Sequence, residues 1–368
     1  MTRDHATEAD DAAPAPEAPQ RRRRSGFNTV LGGFTWLCLG PAFLLLSAAH
    51  LYPQELQENR SIRFAFNCLA FAGEVLQLHI AIACLAAALM ALILRRRWLL
   101  VASLLLAGIG ALPTATTFLP KSPPPAAGET LRVHSMNVYM KNHDAEAILA
   151  EIARVDADVL LIQEWHLWHE ANLTPSLLER YPNQTRYADD FVDGMAILSK
   201  RPFRSATPHG AEPVAGRWGG RVQRVVIDHD GRPLAIYNIH TASPGSRIGF
   251  SRNQYQTHDL LGIFSAEPHD FIAGGDFNAP TFSDQIRAIE RLGLVDAHDL
   301  AGHGPGWTWP NARKPTWKQR AFGSIPGVRI DHIFLSPALT ATVSEVGLPH
   351  KADHRGTFAD VAFRAPAR

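Results

Sequence analysis

Acidic, amide and imidazole side chains recur in this chain where apolar runs end. Glu164 ends Val159–Gln163, and His240 ends Leu234–Ile239. Asp276 and Asn278 follow Phe271–Ala273, Asp331 lies inside Arg329–Leu335, and Asp353-His354 precedes Thr357–Phe363. Layered α/β folds gather their sites at the C-terminal ends of strands. Several carboxylates with two histidines make a hard donor set suited to Mg²⁺ or Mn²⁺ rather than to a thiolate-bound metal. The three cysteines, Cys38, Cys68 and Cys84, all lie in the apolar first third. In such a set Asp276 or His354 would move protons while the cation stabilises charge on a phosphoryl oxygen. Taken singly, each residue reads as a solvated loop end or a cap, so the set has to carry the argument.

These residues need strands to present them. Leu131–Val138 reads as a strand, and Asp144–Val155 as a helix with Ala147, Ile148, Ile152 and Val155 on one face. Within Asp158–Gln163 the unbroken run Val159–Ile162 has the pattern of a strand buried on both sides. Met195–Leu198, Val222–Ile227, Leu234–Ile239, Phe271–Ala273, Ile330–Leu335 and Thr357–Phe363 are further strands. Arg252–Phe264 and Ser283–Leu292, the latter opened by Ser283 as N-cap, are helices. Strands interleaved with helices over residues 129–368 predict a layered α/β domain, whose strand order periodicity does not set.

The first third belongs to a different solvent. Phe27–Tyr52 and Trp98–Leu119 carry no charge and Phe64–Leu94 carries only Glu74. Each exceeds the roughly 20 residues that cross a hydrocarbon core, so three transmembrane helices are expected over residues 27–120. Arg21–Arg24 and Arg95–Arg97 mark the cytoplasmic side, which puts the Pro53–Arg63 loop and everything after Leu119 outside. A signal peptide ending near Ser47-Ala48-Ala49 is the rival for the first span, although its apolar run is long for that purpose. Glu74 is expected at the membrane interface. Residues 1–26 read as a disordered, basic-ended cytoplasmic tail, and 121–128, with Pro123, Pro124 and Pro125, as a short stiff linker.

Seven segments then occur in a telling order: Ser135-Met136-Asn137-Val138, Leu161-Ile162-Gln163-Glu164, Gly194–Ser199, Asn238-Ile239-His240, Gly274-Gly275-Asp276-Phe277-Asn278, Arg329–Phe334 and Ala352-Asp353-His354-Arg355. Over Leu131–Phe363 the chain resembles the endonuclease/exonuclease/phosphatase superfamily, which includes deoxyribonuclease I, abasic-site endonucleases, neutral sphingomyelinases and inositol phosphatases. The resemblance implies a four-layer α/β sandwich of the deoxyribonuclease I type, here preceded by three transmembrane α-helices. It also implies metal-assisted in-line attack of water on a phosphate ester or anhydride. By the same resemblance Glu164 binds the metal, Asn137 shapes the metal and phosphate site, and Asp353 is a further metal contact. Asp276 orients or deprotonates the water, Asn278 holds the scissile phosphate, and His240 contacts it. His354 stabilises the pentacovalent transition state, supported by Asp331 or Asp353. Arg329 and Trp309 are assigned to the substrate, Trp309 through an aromatic loop that also holds Trp307. Ala352 departs from the family, where Ser is common, but at a position that is not catalytic.

Other polar clusters weigh less. His166 and His169 read as a loop or pocket wall rather than a second metal site. Arg217, Arg221 and Arg224 read as the solvated face of a strand, with an anionic headgroup as the alternative partner.

Three functions compete: an envelope phosphatase or phosphodiesterase acting on a lipid-linked substrate, an exported nuclease, and a catalytically silent binding module. Every chemically essential residue type is present, which counts against the silent module. The whole chain has 36 basic and 35 acidic residues, and residues 129–368 hold 25 and 27. No basic run tracks a nucleic-acid backbone. The anchor and short linker would hold the site near the outer leaflet, raising the effective concentration of a lipid substrate. That architecture resembles membrane-anchored superfamily members of the teicoplanin-resistance type, and the resemblance implies a polyprenyl pyrophosphate carrier as substrate.

Overall fold

A computed structural model describes residues 21–51, 62–190, 194–206, 221–311 and 327–366. The expected tail up to residue 20, most of the Pro53–Arg63 loop, and Arg217 lie outside the described residues. Among the described residues twelve strands form two mixed sheets. The first contains β1 (Ala126–Asn137), β2 (Val159–Gln163), β3 (Asn183–Tyr187), β4 (Met195–Ser199), β11 (Leu339–Val346) and β12 (Thr357–Arg364), in the order β11-β12-β1-β2-β4-β3. The second contains β5 (Phe203–Ala206), β6 (Val222–His229), β7 (Arg232–His240), β8 (Asp270–Asp276), β9 (Val295–Asp296) and β10 (Asp331–Leu335), in the order β5-β6-β7-β8-β10-β9.

Alternation along the strands explains the layering. Leu131, Val133, Val159 and Leu161 of the first sheet meet Val225, Ile227, Leu234, Ile236, Ile272 and Ile333 of the second in a central core. The intervening residues Leu160 and Ile162 face outward onto Ile148 and Ile152 of α4 (Ala145–Val155) and Leu173 and Leu177 of α5 (Leu167–Leu178). On the far side Ala235, Tyr237, Phe271 and Ala273 pack on Leu260 and Phe264 of α6 (Arg247–Ala266) and Ile286 and Ile289 of α7 (Asp284–Glu290). A short helix, α8 (Ala297–Ala301), follows β9. Strands covered on both faces need apolar residues at every position, hence the unbroken Val159–Ile162 run.

Three helices precede the sandwich: α1 (Arg21–Leu51), α2 (Ile62–Ile93) and α3 (Arg97–Thr116). The last residues assigned to a disordered tail, 21–26, are therefore the first turns of α1. Among the described residues two helical stretches, Phe64–Ile93 and Arg97–Thr116, are long and apolar enough to cross a membrane. Leu39, Leu46, Cys84, Ala91, Leu99 and Leu106 pack the three together.

The helices also dock on the sandwich. Glu74 is buried, and its Oε1 lies 2.6 Å from Arg287 Nη2 of α7. Phe64 and Phe71 meet Phe250 of α6 edge-on, with centroids 5.8 and 5.3 Å away.

Candidate active site

Strand register builds the site. Parallel β7 and β8 set His240 opposite Asp276, and antiparallel β8 and β10 set Asp276 opposite Asp331. Three adjacent strands thus place His240, Asp276 and Asp331 in one row. In the first sheet, parallel β1 and β2 align Asn137 with Gln163, so Asn137 and Glu164 sit at the corresponding end. Gly275 lets β7 and β8 approach: a Cβ there would lie 1.9 Å from the Ile239 carbonyl oxygen, and its φ is +155°.

One amide joins the two halves. Asn137 Nδ2 donates to Glu164 Oε1 and to Asp276 Oδ2, each at 3.1 Å. Its Oδ1 accepts the Tyr139 N–H at 2.9 Å, and Glu164 Oε2 accepts the Met140 N–H at 2.9 Å. Glu164 and Asn278 both take left-handed backbone, with φ of +59° and +48°, an uncommon conformation that clusters at functional sites. Asn278 N–H donates to Asp276 Oδ1 at 2.9 Å, and its Nδ2 donates to the Thr241 carbonyl at 3.0 Å. His354 Nδ1 pairs with Asp331 Oδ2 at 2.9 Å. His354 Nε2 and His240 Nε2 each lie 3.7 Å from the same oxygen, Asp276 Oδ2. Asp276, Asp331, His240 and His354 are all buried.

Burial pushes the Asp276 carboxyl up to about 7, with Asp331 adding to the rise and His354 opposing it. For His354, burial works against the charged form, but Asp331, Asp276 and then Asp353 outweigh it and raise the imidazole to about 10. His354 is thus an imidazolium at neutral pH, donating to Asp331 and turning its other N–H toward Asp276.

The donor set fits a hard cation. Carboxylate oxygens of Asp276 and Asp331 lie within 4.8 Å of each other, with the His354 imidazolium beside them as a hydrogen-bond donor rather than a ligand. Asp331 Oδ1 is buried without a hydrogen-bond partner among the described residues, an unsatisfied lone-pair site inside an oxygen-rich cluster. Glu164 adds a half-buried carboxylate joined through Asn137. Asp353, half-buried beside His354, accepts the Asn311 N–H through its carbonyl oxygen at 2.6 Å.

Several expectations need correction. Arg329 is enclosed: its Nη2 lies 2.7 Å from Asp299 Oδ1 and its Nε donates to Thr281 Oγ1 at 3.0 Å. Through Thr281 it braces the loop after Asn278. His169 lies within α5 rather than in a loop, buried with Nε2 on the Asn142 carbonyl, and His166 is the N-cap of α5 and accepts the Trp168 N–H. Arg221 is buried, with Nη1 donating to the Thr241 carbonyl, and Arg224 forms a 2.8 Å ion pair with Glu267, so neither is a solvated strand face. Trp309 is exposed, on a loop that Asn311 Nδ2 ties to the Ala352 and His354 carbonyls.

Other contributors carry no sequence signal. Thr241, Tyr139 and Met140 act through backbone groups, which every residue type offers. His332 bridges Asp296 Oδ2 at 2.6 Å and the Ala279 carbonyl at 3.0 Å, bracing the same loop as Arg329. His350 Nε2 lies 3.1 Å from the Asn137 carbonyl.

A family model, described as the endonuclease/exonuclease/phosphatase family, matches residues 135–354. Among solved structures, a D. rerio TDP2 humanized by 14 mutations is similar at 17% identity and a TM-score of 0.50, over 63% of this chain and 98% of that one. A 3'-5' exonuclease (NExo) from Neisseria meningitidis is similar at 16% identity and a TM-score of 0.48, over 63% and 100% of the two chains. A third, the endonuclease/exonuclease/phosphatase from Beutenbergia cavernae, is similar at 18% identity and a TM-score of 0.45, over 64% and 72%. At these identities the likeness is one of fold. No curated protein matches the chain.

Proposed function

The chain belongs to the endonuclease/exonuclease/phosphatase family, whose members are metal-dependent phosphoric ester hydrolases, and from that premise we propose that it hydrolyses a lipid-linked phosphate ester or anhydride at a membrane surface. The observation that carries the chemistry is the buried row His240, Asp276 and Asp331, completed by His354 and joined to Glu164 through Asn137. Glu164, with Asn137 and Asp353 nearby, would hold Mg²⁺ or Mn²⁺, which supplies charge neutralisation at a phosphoryl oxygen.

Asp276, with a pKa near neutrality, takes a proton from the attacking water. Asn278, fixed by Asp276 and Thr241, borders the scissile phosphate. His240 and His354 face one Asp276 oxygen and bracket the seat of the phosphoryl group. His354, kept protonated by Asp331, donates to the phosphoryl oxygen on which charge builds. A phosphorus–oxygen bond forms from water as the ester or anhydride bond breaks, and the departing oxygen carries away the electron pair.

For the lipid substrate the supporting observation is the docking of α2. Glu74 reaches Arg287, which also donates to the carbonyl of Phe282, on the segment that runs on from Asn278. Phe250, near the start of α6, meets Phe64 and Phe71. Both segments lead directly out of the catalytic row. In this proposal residues 1–26 are a cytoplasmic tail, 27–120 a three-span anchor, 121–128 the linker, and 129–368 an extracytoplasmic catalytic domain at the cytoplasmic membrane. The likeness of architecture to teicoplanin-resistance-type proteins favours a polyprenyl pyrophosphate.

The test is hydrolysis by the full-length protein with Mg²⁺ of three substrates: a polyprenyl pyrophosphate, a phosphodiester lipid and plasmid DNA. Preferred release of phosphate from the lipid pyrophosphate supports the proposal. Preferred cleavage of DNA would replace it with a nuclease, and no turnover of any substrate would leave a silent binding module.

A further inference from the structure

A cleft of mixed polar and apolar lining is bordered by Arg355, the residue after His354. Its volume is about 720 Å³, and its walls include Phe118 just past the end of α3, His303 and Trp307 after α8, Thr342 and Glu345 of β11, and Arg355. Arg355 directly follows His354, and its backbone N–H is tied to the Thr308 carbonyl at 2.9 Å. Its side chain is half-buried, and Nε is enclosed without a hydrogen-bond partner. An arginine so placed can answer an anion, because an enclosed N–H left without an acceptor is costly and the half-buried residue lines the cleft. Among the described residues no carboxylate answers it. Glu345, the acidic residue of the lining, is exposed and its charge acts on Arg154. The lining also holds aromatic rings: His303 meets Phe118 edge-on at 5.5 Å, and Trp307 is half-buried. A cationic fork and apolar rings sharing one cleft suit a ligand with a phosphate at one end and apolar surface at the other.

We propose that this cleft is a noncatalytic binding site for an anionic phosphate group, held by the Arg355 guanidinium beside the Phe118 and Trp307 rings. Because Phe118 ends an apolar helix, the phosphate of a membrane lipid is within its reach, a source that rests on reading α3 as a membrane span. Free phosphate shares the chemistry and is tested separately.

Full-length protein in detergent is mixed with phosphatidic acid, phosphatidylcholine or inorganic phosphate, and the retained ligand is measured by native mass spectrometry. Arg355→Gln is expected to weaken retention of phosphatidic acid about tenfold or more, because hydrogen bonds to a charged group are lost. Arg355→Lys, a cation without the fork, falls between. Thr342→Asp, which puts a carboxylate on the exposed wall of the cleft, has to give a similar loss and covers the case in which Arg355→Gln unfolds. Hydrolysis of a small soluble phosphate ester, followed in parallel, separates this site from the catalytic one. Loss of phosphatidic acid alone identifies the lipid as the source, and loss of inorganic phosphate as well identifies a general phosphate site. Equal retention of every probe by wild type, Arg355→Gln and Thr342→Asp would overturn the proposal.

Discussion

Asp276 is the residue on which the others converge: both histidines and the Asn137 amide face its Oδ2, and the Asn278 N–H binds its Oδ1. Asp276→Ala and His354→Ala should each lower turnover by roughly 10²–10⁴-fold, the usual reach of general acid–base catalysis, as read from initial rates. Asp331 sets the charge state of His354. The folded pKa of about 10 lies above the ordinary 6.5, so the imidazolium and its contribution to stability are present at neutral pH and lost as pH rises through about 10. Asp331→Asn removes the largest cause of the rise, so the alkaline limb of the rate profile should move to lower pH. A limb that stays in place would show that His354 does not govern it. The candidate residues were legible because carboxylates and histidines interrupt apolar runs. A motif position alone does not reveal that Asp299 and Thr281 hold Nη2 and Nε of the Arg329 guanidinium.

At the scale of elements, register does the positioning. A one-residue slip of β7 or β10 against β8 would turn His240 or Asp331 to the opposite face. Gly275→Ala places a methyl group against the Ile239 carbonyl and should destabilise the domain by more than about 1 kcal/mol in thermal or denaturant unfolding. An unchanged midpoint would mean that the strands are not so closely held. The central strands were readable because residues such as Val159–Ile162 are apolar on both faces. Strand β3, Asn-Gln-Thr-Arg-Tyr, sits at a sheet edge with half-buried polar side chains and has no such signature. Helix α5 was hidden because its cap is an unusual one, His166, and Pro175 lies inside it. The loop that follows Asn278 depends on Arg329 and His332, which are distant in sequence and so invisible to a local reading.

For the whole molecule, the docking of α2 on α7 couples the N-terminal helices to the end of the sandwich that carries the candidate site. Removing Arg287 leaves the buried Glu74 carboxylate without that guanidinium and should cost about 1–3 kcal/mol; removing Glu74 should cost less, because Arg287 is partly exposed and keeps Asp284, and the double change should cost less than the sum. Strict additivity in the double-mutant cycle would mean that the pair does not couple the two parts. Sequence showed Glu74 as an isolated acid in an apolar helix but not its partner, which lies in the other half of the chain. Protease added to intact cells should digest the catalytic domain if it is extracytoplasmic, whereas digestion only after lysis would reverse the proposed orientation. The most direct test of the central claim measures phosphate release from a lipid pyrophosphate by full-length protein in vesicles, with Mg²⁺ and with a chelator. The account predicts turnover that requires the cation and falls at least about a hundredfold in Asp276→Ala and His354→Ala. Turnover that survives both chelation and these substitutions would contradict it.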